Sequence, residues 1–387
     1  MSVLNVPQPE FMEDEEISIF ADAVVKFYQQ HAPEKRVLQW REAGQVERGF
    51  WNEAGEAGLL GVSVPEEYGG HGGDFRHDMV VIDQQAKHGV EGFAASLHNT
   101  VILPYLVRHG TEEQKKKYLP KLVSGELVSA IAMTEPGVGS DLQSITTTAL
   151  KDGNGYKING AKTYISNGQT ADFIIVVAKT DPNERAKGIS LMLLETEGAD
   201  GFQRGKKLDK IGLDAADTSE LFFDDVFVPA ENVLGGVEGK GFYQLMGELP
   251  QERLIIAMGA MTGIEKALET TMEFVKDRKA FGQTIWDFQN TQFVMADLKA
   301  RATAARVFVN DCIAKHLKKE LSVDTACMAK YWVTELQGEV VDKCLQFHGG
   351  AGFINDYPIA RMYRDSRITR IFGGSNEVMK MVIARGM

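Results

Sequence analysis

The sequence predicts an α+β protein in three parts: an N-terminal α-helical domain over 1–125, a middle β-barrel or β-sandwich domain over 126–235, and a C-terminal four-helix bundle over 236–387. Three observations predict it. Apolar residues recur at helical spacing at both ends of the chain. Between them lie short β-rich runs broken by Gly, Asp and Pro. The 387 residues, 44% of them hydrophobic, are enough to bury a large core.

In the first part, "EEISIFADAVVKFYQQH" carries Ile17, Phe20, Val24 and Phe27 close to helical spacing. "FWNEAGEAGLLGV" reads as a short helix closing on Gly61, and "VPEEYGGHGGD" as a glycine-rich loop. Helical texture resumes in "HDMVVIDQQAKHG" and in "EGFAASLHNTVILPYLVRHG", which stops at Gly110. Thr111 then caps "TEEQKKKYLPKLVSGE", with acids in its first turn. In the second part, "GYKINGAKTYISNG" predicts a hairpin turning at Asn159-Gly160. "ADFIIVVAKT", "GISLMLLET" and "SELFFDDVFVP" are further strands. In the third part, Pro250 either opens a helix or kinks one already begun. Leu254, Ala257, Met261, Ile264 and Leu268 recur along it, and two more long helical stretches follow "DRKAFG".

Composition excludes several classes. A formal charge of −12 is a poor match to nucleic acid or anionic membranes. Three cysteines without a CxxC pair argue against a disulfide framework or a zinc site, and no histidine has metal-ligand spacing. A reducing cytoplasm is expected. The N-terminus lacks a basic segment followed by an apolar one, and is acidic and arginine-poor, so no targeting segment is predicted. The longest apolar runs, such as "FIIVVA", are too short to cross a bilayer.

Several segments carry chemistry, each weakly when alone. "AIAMTEPGVGSD" (130–141) joins an apolar run to a loop of small residues offering the hydroxyls of Thr134 and Ser140. "TYISNG" sets Tyr164, able to stack on a flat ring, beside Ser166. Arg278 in "DRKAFG" can bind a phosphate bidentately. "LQFHGGAGF" is a glycine cluster after a helix, so a Rossmann reading fails. "RITRIFGGSNEVMK" places Gly373 and Gly374 side by side.

Together and in this order, these segments resemble the acyl-CoA dehydrogenase family of flavoproteins over essentially the whole chain. The matching signatures are "MTEPGVGSD", "YKINGAKTYISNG", "RKAFG", "QFHGGAGF" and "RDSRITRIFGGSNEVMK". The resemblance implies an FAD between the β domain and the C-terminal helices. Ile131, Met133, Thr134 and Ser140 would adjoin it, Ser140 also touching substrate. Tyr164 would cover the isoalloxazine and Ser166 bond near N5. Arg278, Phe281 and Gln289, with Gln346, Gly349 and Gly350, would hold the pyrophosphate and adenine of a neighbouring subunit's FAD. Ser375 and Glu377 would lie at the cofactor side. That sharing implies a homo-oligomer of at least two copies, and the resemblance points to a dimer of dimers.

The family's reaction is α,β-desaturation of an acyl-CoA thioester, with electrons passing to an electron-transfer flavoprotein. It needs a desolvated carboxylate to take the Cα proton and donors for the developing enolate. Many members carry that Glu directly after the aromatic of the terminal motif, where this chain has Gly373. Long-chain and isovaleryl members carry it instead on the helix of "GELPQERLIIA", where this chain has Glu252. Glu252 is therefore the expected base, with the Gly373 amide and a ribityl hydroxyl of FAD donating to the thioester oxygen. Gly374 and Arg253 are further expected substrate contacts. The bare Gly373 is expected to free volume beside Cα and Cβ for long or branched chains. Tyr243, nine residues before Glu252, is expected to face the same way and line the acyl channel if the helix is unbroken; a core aromatic fits equally. Glu135 reads as structural, and the run "RGKKLDK" is left unassigned. Alternatives are an acyl-CoA oxidase, marked by peroxide production, and a non-catalytic or DNA-binding member of the family, against which the charge argues.

Overall fold

The computed structural model describes residues 3–90 and 92–387. Met1, Ser2 and Glu91, covered by the readings above, lie outside the described residues.

The N-terminal part holds α1 (Glu15–His31), α2 (Glu34–Ala43), α3 (Arg48–Glu56), α4 (Phe75–Lys87), α5 (Ala95–Leu97), α6 (Leu103–His109) and α7 (Glu112–Val123). α5 and α6 are one continuous rod interrupted by a π-helical turn over His98–Ile102. The helix of "FWNEAGEAGLLGV" ends at Glu56, before the predicted stop. Gly58, at φ 75°, already takes the left-handed position that closes it. Gly61 instead meets α7, where a Cβ would sit 2.4 Å from Val123 Cγ2. Thr111 caps α7 in a reciprocal box with Gln114.

The middle part is one curled seven-stranded sheet of β1 (Ser129–Ala132), β2 (Thr148–Asp152), β3 (Gly155–Ser166), β4 (Phe173–Lys179), β5 (Ile189–Glu195), β6 (Phe202–Lys207) and β7 (Thr218–Pro229). The strands run β1-β4-β2-β3-β7-β6, with β5 on the other side of β4. Asn159-Gly160 is not a turn. The β2–β3 hairpin closes six residues earlier, at Asp152↔Gly155, and β3 runs on through Asn159-Gly160 opposite a bulge in β7, where Asp224 and Asp225 both stand against Asn159. Asn159 and Asp225 lock that bulge with reciprocal hydrogen bonds of 2.9 Å.

β4 explains why "FIIVVA" reads as an unbroken apolar run. Phe173, Ile175 and Val177 face the helical core, while Ile174, Val176 and Ala178 face a second core inside the sheet. The C-terminal part is α8 (Gly241–Asp277), a hairpin of β8 (Lys279–Ala280) and β9 (Gln283–Thr284), then α9 (Gln289–Leu317), α10 (Val323–Phe347), α11 (Pro358–Ser366) and α12 (Asn376–Arg385). Pro250 lies inside α8. Among the described residues no helix is long and apolar enough to cross a membrane, and no cluster of His, Cys, Asp and Glu could hold a metal.

Candidate active site

Glu252 projects from α8 into the protein and is only 8% exposed. The Tyr105 hydroxyl, from α6, donates to its Oε1 at 2.8 Å. No other hydrogen bond reaches this carboxyl among the described residues, so Oε2 is unclaimed. Burial pushes the Glu252 carboxyl up to about 7. The Tyr105 hydroxyl and the Arg253 charge hold it back, and the Glu248 charge adds to the rise.

Glu248, one turn earlier, is also buried but is committed. It pairs with the Arg108 guanidinium and with His109 Nε2 at 2.9 Å. Arg108 Nη2 also donates to Gln251 at 2.7 Å, and Gln251 Nε2 donates to the Thr100 carbonyl of the π turn at 2.7 Å. Of the two acids in "GELPQER", Glu252 is thus the one left without a cation.

Gly373 and Gly374 adopt left-handed conformations, φ 63° and 88°. A Cβ at 373 would lie 2.3 Å from Ile256 Cδ1. Ile256 is one turn after Glu252 on the same face of α8, so the glycine loop and the carboxylate border one space. The expectation that Gly373 frees volume there is corrected, because the Ile256 methyl occupies it. Among the described residues the Gly373 N–H donates to no protein acceptor. The buried Lys330 ammonium fixes the loop from behind, donating to the Gly374 carbonyl and to Asn376 Oδ1, both at 2.8 Å. Ser375 caps α12, and Glu377 is exposed in its first turn.

Two other expected substrate contacts lie elsewhere. Tyr243 is 53% exposed. α8 is continuous between it and Glu252, but nine residues at about 100° each end roughly half a turn away. Arg253 is buried and turns towards α10, where Nη1 donates to Cys327 Sγ at 3.2 Å.

The residues expected around the flavin stand at the ends of β1 and β3. Ile131 and Met133 are half-buried against the helical core, Thr134 is half-buried, and Ser140 and Ser166 are exposed. Thr163 N–H donates to the Thr134 carbonyl at 2.9 Å and joins the two strand ends. Beneath them, Glu135 and Lys162 form a buried ion pair at 2.9 Å. Glu135 also accepts from the backbone N–H groups of Thr146 and Thr147. Desolvation opposes its ionisation, but the Lys162 charge and these donors hold the carboxyl down to about 2. Burial draws Lys162 down to about 8.

Tyr164 is 69% exposed at φ 60°, and Phe281, in the β8–β9 turn, is 96% exposed at φ 52°. Bulky side chains rarely take that region, and strain of this kind collects at ligand sites. Arg278, Gln289, Gln346, Gly349 and Gly350 are exposed near the same turn and at the end of α10. A Cβ built at Gly137, Gly139, Gly349 or Gly350 would meet nothing within 4 Å. Open backbone together with exposed aromatics fits a flat, phosphate-bearing cofactor such as FAD.

Sequence reasoning missed Tyr105, Arg108, Lys330 and Ile256. Tyr105, Arg108 and Lys330 sit in helical runs with no motif of their own, and Ile256, though inside "GELPQERLIIA", is one apolar residue among several there; only the helix packing brings them to the site. His98 behaves as a satisfied core group, bonding Ser129 Oγ at 2.7 Å and the Leu122 carbonyl at 3.0 Å, while His71 is exposed and His88 half-buried at the surface. In "RGKKLDK", Lys207 and Lys210 are spent internally, on the carbonyls of Ala43 and Ala216.

Comparison with known proteins agrees along the whole chain. The N-terminal, middle and C-terminal domains of acyl-CoA dehydrogenases match residues 14–126, 130–226 and 239–387. The chain is 47% identical to a Sus scrofa mitochondrial long-chain specific acyl-CoA dehydrogenase over 96% of this chain and 86% of that one. It is 40% identical to a Pongo abelii mitochondrial isovaleryl-CoA dehydrogenase over 94% and 86%. A crystal structure of an acyl-CoA dehydrogenase from Geobacillus kaustophilus superposes with a TM-score of 0.94 at 46% identity, covering 96% of this chain and 98% of the other. The chain belongs to the acyl-CoA dehydrogenase family of FAD-dependent oxidoreductases.

Proposed function

We propose that the protein desaturates straight, long-chain acyl-CoA thioesters between Cα and Cβ, with Glu252 as the Cα proton acceptor. The carrying observation is a buried carboxylate without a cation partner, on the face of α8 that also meets the Gly373 loop. Gly373 N–H is free to donate to the thioester oxygen, lowering the barrier to enolate charge. Tyr164, Thr134 and Ser166 would hold the isoalloxazine. Arg278, Phe281, Gln289 and Gln346–Gly350 would reach a second copy's FAD, within a dimer of dimers. When bound, FAD supplies the acceptor for the hydride leaving Cβ. An electron-transfer flavoprotein would take the electrons onward, in a cytoplasm to which three buried, unbridged cysteines are suited. Peroxide formation without any added acceptor would favour the oxidase reading instead.

The support for Glu252 over Glu248 is electrostatic. A base must be ionised before it acts, and a carboxyl at about 7 is partly ionised at neutral pH yet still proton-hungry. Glu248 is instead engaged by Arg108 and His109. Glu252→Gln is expected to keep FAD and its yellow colour while losing roughly 10²–10⁴-fold in turnover. Near-normal turnover in that variant would remove the assignment.

A further inference from the structure

We propose that Tyr105 is a positioning residue for the reaction: its hydroxyl clamps one oxygen of Glu252 and leaves the other to receive the substrate proton. The inference rests on Glu252 being the base. Its own ground is geometric. The Tyr105 ring is fully buried and its hydroxyl is 2.8 Å from Oε1.

The platform under Tyr105 is unusually well fixed. The π turn at His98–Ile102 joins α5 to α6 just ahead of Tyr105, and such turns are frequent at functional sites. Its first three residues are pinned. His98 sits between Ser129 and the Leu122 carbonyl. Asn99 accepts from the Gly61 N–H at 3.0 Å and donates to the Leu59 carbonyl at 2.8 Å. Thr100 then offers its carbonyl to Gln251, the neighbour of Glu252. The same turn that aims Tyr105 therefore also sets where α8 lies against it.

The charged groups around Glu252 come from four other helices. On α8 itself are Glu248 and Arg253. From α6 come Tyr105, Arg108 and His109, with Arg108 and His109 both engaged by Glu248. Asp78 of α4 and His316 of α9 feel the Arg108 charge. Cys327 and Lys330 of α10 lie beyond Arg253. Among the described residues Tyr105 is the one group that donates directly to the Glu252 carboxyl, so it favours the ionised form against burial. Without that donor the carboxyl keeps its proton to higher pH.

The test is Tyr105→Phe in the FAD-loaded enzyme, which keeps the ring and removes the donor. The acid limb of kcat/KM is expected to move up by about one pH unit or more. The rate would then fall about tenfold near pH ~6 and stay within about twofold of the parent near pH ~9. An even loss at every pH, with the limb unmoved, would mean packing alone and overturn the proposal. A second measurement needs no turnover: thermal unfolding across the same range. The Tyr105→Phe deficit in Tm is expected to grow with pH, because the fold must then hold a less supported carboxylate. In a Glu252→Gln background that growth is expected to vanish; a deficit flat with pH in both backgrounds counts against the clamp. If Glu252→Gln alone keeps full turnover, the base assignment fails and this inference with it. If Glu252→Gln is inactive but the Tyr105→Phe limb stays put, only the clamp fails.

Discussion

At the residue scale, the acyl pocket is decided by Ile256 as much as by Gly373. The bare glycine suggests room for a branch, but the Ile256 δ-methyl stands where a Cβ at 373 would go. A straight chain is the better fit, and straight long-chain thioesters are expected to bleach the flavin at least about tenfold faster than isovaleryl-CoA. Ile256→Ala should narrow or invert that ratio; an unchanged ratio would mean that Ile256 does not face the acyl chain. The same contact bears on moving the base. A Glu at 373 must take a left-handed backbone and shift that methyl, so its rescue of Glu252→Gln is expected to improve when Ile256 is trimmed as well. Glu252 and Gly373 were legible because they occupy positions inside recognisable strings. Tyr105 was not, since a tyrosine in "ILPYLVRHG" has the same pattern whether its hydroxyl meets solvent or a carboxylate. Tyr243 was misjudged by simple angular arithmetic, half a turn lost over nine residues.

At the element scale, the ends of β1 and β3 are held by one buried charge pair. Lys162 and Glu135 side chains are 0% and 2% exposed. Lys162→Met leaves a buried carboxylate without its counter-charge and is expected to lose about 3–5 kcal/mol in urea unfolding, with FAD retained less tightly. Adding Glu135→Gln should recover part of that loss; a single-mutant loss below about 1 kcal/mol would mean the pair is not what holds the loop. The pair's pH dependence follows from the depressed Glu135 carboxyl. Its stabilisation is present above the unfolded value near ~4.3 and disappears as pH falls towards about 2. Helices with caps and regular spacing were readable, as Thr111 and its box demonstrate. Asn159-Gly160 was not, because the dipeptide that suits a hairpin turn also fits opposite a bulge, and only the partner strand, through Asp225, tells the two apart.

At the scale of the whole molecule, a charge cluster joins all three parts. Arg41 of α2 binds Asp365 of α11 through two nitrogens, at 2.7 and 3.1 Å, and Asp214 of the β part at 2.8 Å. Arg364 of α11 meets Asp214 as well. Asp365→Ala is expected to lower stability by about 3 kcal/mol and to separate one cooperative unfolding transition into two; an unaltered single transition would assign the linkage to apolar packing alone. The order of the three parts could be read from periodicity, whereas this cluster draws on positions more than a hundred residues apart that no local pattern connects. β4 carries the same lesson further. Its odd residues belong to the helices and its even ones to the sheet. An excised middle segment would therefore bare Phe173, Ile175 and Val177 as a greasy wall, so what look like three modules on paper are inseparable halves of shared interiors.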